Sequence, residues 1–97
     1  MLRDKNFAGQ ALENFVVMEI IKQLSWFDSS IQIYHFRTHK GREVDIVLEN
    51  RRRELIGIEV KATDTPSPKD FNGLKALQAL RPKEFKKGAV LYTGEHF

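Results

Sequence analysis

Cysteine is absent from this chain of 97 residues. That excludes a disulfide framework, a thiolate zinc site and a cysteine nucleophile, and it fits a reducing, cytoplasmic setting. Long apolar runs are lacking as well. The longest fall far short of the roughly 20 residues that span a bilayer, so no membrane partner is expected. The opening stretch, MLRDKNFAGQ, is charged early and has no apolar core, which argues against a signal peptide. Internal repeats, linkers and low-complexity segments are also missing, and at this length one domain, residues 1–97, is the default.

What is present is an ordinary globular composition, with 41% hydrophobic residues. Lys and Arg number 16 against 13 Asp and Glu, a net charge of +3. That balance permits nucleic-acid binding without establishing it. The cations are grouped. Arg37, His39, Lys40 and Arg42 surround one predicted turn, Arg51, Arg52 and Arg53 form the next, and Arg81, Lys83, Lys86 and Lys87 form a third group. Each group taken alone reads as a solvated loop.

Residues 8–24, AGQALENFVVMEIIKQL, predict an amphipathic helix, with Leu12, Phe15, Val16, Ile20 and Leu24 at helical spacing. Val17 and Ile21 widen the stripe and predict that the helix is well buried. Residues 31–37, 43–49 and 54–62 predict three strands of a β-meander. Ser67 is a good N-cap, Pro68 suits the first helical position, and Asp70 favours the start of a second helix. That helix would carry Phe71, Leu74, Leu77 and Leu80 on its apolar side and stop near Arg81-Pro82. GAVLYTG, at 88–94, predicts a strand covered on both faces. The last two strands, joined through a helix, should run parallel with a right-handed crossover. The expected fold class is therefore α/β, an αβββαβ core with a mixed four-stranded sheet flanked by helices. The chain ends almost with its last strand, which reads as a fragment or short form.

The segment GREVDIVLENRRRELIGIEVKA, residues 41–62, sets charges inside two strands. Alternation gives Val44, Ile46 and Leu48 one face, and Glu43, Asp45 and Glu49 the other, with Val47. It gives Ile56, Ile58, Val60 and Ala62 one face, and Glu59 and Lys61 the other, with Leu55 and Gly57. A turn centred on Arg52 makes Val44 face Val60, Ile46 face Ile58 and Leu48 face Ile56, and sets Asp45 opposite Glu59. A slip of one residue would turn one apolar set to the wrong side. Two opposed carboxylates repel each other. A divalent cation would offset that repulsion, and Lys61 on the same face would help. Glu13 lies beside Val17, Ile20 and Ile21, where an isolated buried charge is costly and needs a partner or a metal. Oxygen-only sites suit hard cations such as magnesium, which polarise a phosphodiester and acidify a bound water. A lysine two residues beyond a ligand projects into the same site, where it can orient water or stabilise the transition state.

An acidic residue on a first helix, an Asp on strand two and Glu-x-Lys on strand three resemble the PD-(D/E)XK nuclease superfamily, which has the restriction-endonuclease-like fold. The matching positions are Glu13, Asp45, Glu59 and Lys61; Val44 stands where a proline often precedes the Asp. GQALENFVVMEIIKQL, FRTHKGREVDIVLE, IGIEVKAT, DFNGLKAL and GAVLYTGE together resemble a domain of unknown function that usually forms the C-terminal part of prokaryotic AAA-type ATPases. No GxxxxGK[ST] phosphate loop occurs here, so the ATPase portion is not in this chain. The resemblance implies a magnesium- or manganese-dependent nuclease acting on DNA, with an ATPase domain as partner in full-length relatives. Asp45 and Glu59 would be metal ligands, helped by the carbonyl of Val60. Lys61 would serve the attacking water, Glu13 would contribute through water or a second metal, and Arg37 would hold a phosphate at the edge of the site. The alternatives are a non-catalytic module that binds nucleic acid or protein and regulates a neighbouring ATPase, and a homodimer formed through surfaces otherwise covered.

Other constellations are weak. His35, His39 and His96 are scattered across a strand end and the terminus, which argues against zinc. No serine nucleophile elbow is present. Phe7, Phe15, Trp26, Phe27, Tyr34 and Phe36 read as core residues, although Tyr34 and Phe36 share a face and would be exposed on an edge strand.

Overall fold

Three apolar, β-branched stretches separated by short polar turns can only bury their side chains by pairing with one another. A computed structural model describes residues 5–27 and 29–94. Its elements are α1 (Lys5–Phe27), β1 (Gln32–Arg37), β2 (Glu43–Glu49), β3 (Leu55–Lys61), a 3-10 turn (Pro68–Phe71), α2 (Asn72–Leu80) and β4 (Phe85–Tyr92). The expected αβββαβ order and mixed sheet are present. Strand order is β1-β2-β3-β4, with the first two pairings antiparallel and β3/β4 parallel. No helix among the described residues is long and apolar enough to cross a membrane.

The β2–β3 hairpin has the expected register, with Ile46 opposite Ile58 and Leu48 opposite Ile56. Asn50 organises the turn, its Oδ1 accepting the N–H groups of Arg52 and Glu54. Arg53 takes a positive φ of 67° there.

One feature of β2 departs from simple alternation. Opposite β1, Tyr34 pairs with Val47 but Phe36 pairs with Val44, so Asp45 and Ile46 together face His35. This extra residue is a β-bulge, and it shifts the side-chain phase of the strand. Val44 consequently joins Val47, Leu55, Leu74 and Leu77 in the buried core. The expectation that Val44 shares a face with Ile46 and Leu48, and faces Val60, is corrected by the bulge. Gly57 lines the same core, where an added Cβ would lie 2.6 Å from Leu74 Cδ2. Ile46 and Ile58 keep to the opposite face, which α1 crosses over β2 and β3.

α1 is longer than predicted, because no Gly or Pro stops it at either flank. It is not well buried. Leu12, Val16, Val17, Ile20, Ile21 and Leu24 are half-buried, while Phe15 is 63% and Trp26 87% exposed. Its apolar residues run around most of the circumference, and a single sheet face covers only one stripe. Phe15 and Trp26 are therefore not core residues; the side chains of Phe7 and Phe27 and all of His96 lie outside the described residues.

The second helix opens as the 3-10 turn. Asp70 Oδ2 accepts the Ser67 N–H at 2.9 Å and the Tyr92 hydroxyl at 3.0 Å, tying the turn to β4. Leu74 and Leu77 are buried as expected, but Phe71 and Leu80 are exposed. At Gly73, a Cβ would overlap the backbone carbonyl of Glu43, so only glycine lets α2 lie this close to the start of β2. β4 sits at the sheet edge with Gly88 and Leu91 exposed, which corrects the expectation of a strand covered on both faces.

Gly73→Ala is expected to destabilise the domain by at least about 1–3 kcal/mol through overpacking against backbone. Gly9→Ala, whose Cβ would meet Ala62 Cβ at an ordinary 3.6 Å, is expected to stabilise α1 by about 0.5–1 kcal/mol. Denaturant melts of the two variants check this pair.

Candidate active site

The β2–β3 backbone ladder stops at Ile46 and Ile58. Beyond that point side chains take over. Asp45 Oδ2 accepts the N–H of Val60 at 2.8 Å, and Glu59 Oε1 accepts the N–H of Asp45 at 3.0 Å. One strand residue points its N–H and C=O to the same edge. Val60 therefore turns its carbonyl, like its N–H, toward the gap where β2 has parted from β3. Glu13 completes the set from α1, its Oε2 accepting the Ala62 N–H at 2.8 Å.

The gap opens into a cleft of about 580 Å³. Glu13, Asp45, Glu59, Val60 and Lys61 all line it, so the structure brings together every predicted site residue but one. Arg37 is the exception. It lines a neighbouring groove with Phe36 and His39. The strand end simply carries it past the cleft.

Glu59 is 7% exposed and is the only buried charged residue among those described. Burial pushes its carboxyl up to about 8, and a hydrogen bond to the Asp45 carboxyl and repulsion from it add to the rise. The Asp45 N–H and the Lys61 ammonium pull the other way without winning. Two neighbouring carboxyls resist carrying charge together, and a proton on Glu59 or a bound cation relieves that repulsion. Lys61 makes no ion pair with any described residue.

The donor set fits a hard divalent cation. Asp45 and Glu59 each keep an oxygen free of the backbone, and the Val60 carbonyl faces the same gap. No three Asp, Glu or His among the described residues converge as a metal cluster. A cation here would therefore take two carboxylates, a carbonyl and waters, which is the way magnesium is commonly held.

Several lining residues escaped sequence reasoning. His35 Nδ1 is 3.4 Å from the Asp45 carbonyl, and its Nε2 is 3.4 Å from Glu43 Oε1. It stands at the bulge, which no pattern in the sequence announces. Gln10 and Asn14 line the cleft beside Glu13; Gln10 stands three residues before Glu13 and four before Asn14, and those spacings were the available signal. Lys69, Asp70, Asn72 and Gly73 arrive from the far side through the close approach of α2.

Fold and site together define an α/β domain with an open mixed sheet and a carboxylate-lysine cleft at the splayed end of its central hairpin. A family model for a domain of unknown function (DUF4143) matches residues 8–97, and the chain belongs to that family. Neither a search of curated proteins nor a search of solved structures finds a match.

The raised Glu59 carboxyl has a consequence for stability. The folded metal-free protein binds a proton there that the unfolded chain releases near its ordinary pKa of about 4.3. The stabilisation is full below that value and is lost as pH rises through the folded value near 8. Urea melts of the metal-free protein between these limits are expected to show stability falling with pH, and Glu59→Gln should flatten the slope.

Proposed function

We propose that the cleft is the centre of a metal-dependent phosphodiesterase acting on DNA, in a nuclease-like domain of the PD-(D/E)XK kind. Relatives would carry it beside an AAA-type ATPase domain in the cytoplasm. The supporting observation is the meeting of Asp45, Glu59 and Lys61 in one cleft, where each acid accepts a backbone N–H of the other's strand and Lys61 has no ion pair among the described residues.

The chain's own groups divide the work. Asp45, Glu59 and the Val60 carbonyl would hold magnesium or manganese, which would supply charge neutralisation at the phosphate and a more acidic water. The backbone N–H groups of Val60 and Asp45 fix the carboxyl orientations before any substrate arrives, the preorganisation that makes electrostatic stabilisation effective. Lys61, on the strand that carries Glu59, orients the attacking water or meets the charge developing on the phosphate. Glu13 holds the end of β3 through Ala62 and so keeps Lys61 in place.

A second reading has its own support. All three acids already serve backbone N–H groups, and this would suffice to explain them as clasps in a non-catalytic module that binds nucleic acid through its basic loops and regulates an ATPase.

The catalytic reading expects manganese-dependent cleavage of plasmid or single-stranded DNA that disappears in Lys61→Ala and Asp45→Asn, with circular dichroism unchanged. No cleavage across metals and substrates, together with salt-sensitive DNA binding that survives both substitutions, would establish the second reading. Cation binding carries a further expectation. Glu59 must lose its proton to become a ligand, so affinity for magnesium should rise with pH up to about 8 and binding should release a proton. Calorimetry in buffers of different ionisation enthalpy measures both.

A further inference from the structure

On the α2 side of the sheet, β1 and the edge of β2 extend beyond the cover of the helix. They leave a groove of about 310 Å³, floored by Val47, Leu55 and Leu77, with Tyr34 and Phe36 along it and Arg53 and Arg81 also lining it. Phe36 and Leu80 continue it into a second depression, of about 530 Å³, that Arg37 and His39 line. The two depressions meet the carboxylate cleft at His35 and at Gly41 respectively. A strip of aromatic and apolar side chains flanked by three guanidinium groups therefore borders the carboxylate cleft.

Among the described residues Glu49 is the single carboxylate lining this strip, and it is already engaged. Its Oε2 lies 3.6 Å from Arg53 Nη1. The Tyr34 ring is 49% exposed. The pairs Arg53–Glu49 and Arg81–Glu84, at 3.6 and 3.5 Å with solvent-exposed arginines, are weak and exchangeable. Arg37 has no ion pair among the described residues.

We infer that this groove is a subsite for single-stranded nucleic acid, with an unstacked base laid against the exposed Tyr34 ring, beside the partly buried Phe36, and the neighbouring phosphates held by Arg37, Arg53 and Arg81. Aromatic faces beside available cations are the pattern that recognises bases without reading sequence. A duplex hides its base faces within the stack and presents phosphates alone, so it cannot use the apolar floor. The charge of the strip selects a polyanion, and its flat aromatic surface selects one that carries planar rings. The inference rests on the phosphodiesterase reading only for its meaning, because it names the substrate form that would be delivered to the cleft; binding itself needs no metal.

The test is fluorescence anisotropy of the full chain with fluorescein-labelled oligothymidylate in EDTA, where binding is read without cleavage. Oligothymidylate should bind at least about tenfold more tightly than a duplex of equal length. Tyr34→Ala should lose about tenfold or more, the scale of one base stack, while Tyr34→Phe should keep most of the affinity. Arg37→Gln and Arg81→Gln should weaken binding and reduce its salt dependence. Equal affinity for duplex and single strand, an unaffected Tyr34→Ala variant, or displacement by polyglutamate as readily as by oligothymidylate would overturn the assignment. Tyr34-dependent binding without any metal-dependent cleavage would support the groove while removing the catalytic reading, so the two failures are separable.

Discussion

The structure turns on an exchange of hydrogen bonds where β2 and β3 part. A strand pair that splays apart strands its backbone N–H groups, and a buried orphan of that kind costs about 1–3 kcal/mol. Here the Asp45 carboxyl takes the Val60 N–H and the Glu59 carboxyl takes the Asp45 N–H, so the ladder continues through side chains after its backbone rungs end. Glu13 repeats the device at Ala62, joining α1 to the same strand end. The strands can separate enough to open a cleft because three acids absorb the loss, and no buried side-chain polar atom among those described is left without a partner.

The same arrangement sets the electrostatics. Carboxyls drawn onto neighbouring backbone groups are also drawn onto one another, and burial makes their shared negative charge expensive. Glu59 responds by keeping its proton to higher pH. The clasp leaves room for the proposed chemistry: one oxygen each of Asp45 and Glu59 accepts a backbone N–H, the second is free of the backbone, and both residues line the cleft. The proposed chemistry draws on the second oxygen, and the fold depends on the first.

Packing around the cleft follows from two departures from ideal geometry. The bulge at Asp45-Ile46 turns Val44 into the α2-side core while leaving Asp45 at the strand gap. Gly73 lets α2 settle onto the backbone of Glu43 and brings Asn72 and Lys69 to the opposite wall. Because α2 reaches only part of the way across the sheet, Tyr34 on edge strand β1 remains half exposed beside it, while Phe36 lines the same groove partly buried against the core. The cleft and the aromatic groove are therefore two results of the placement of one short helix.

By itself the sequence determined the element order, the hairpin register about Arg52 and the meeting of Asp45, Glu59 and Lys61, because period-two alternation and burial of Ile46 against Ile58 leave one workable pairing. It could not show the bulge, since inserting one residue into a strand leaves the local composition unchanged; so Val44 was assigned to the wrong face and His35 was weighed only as a zinc ligand, not as a wall of the cleft. Nor could it show how much of α1 is covered. Phe15 and Val16 look alike to a hydropathy pattern, and only the position of the sheet leaves the first exposed and the second half-buried. Arg37 misses the cleft for the same kind of reason. Local periodicity fixes which residues share a strand face, whereas the docking of helices on that face decides which of them reach a common space.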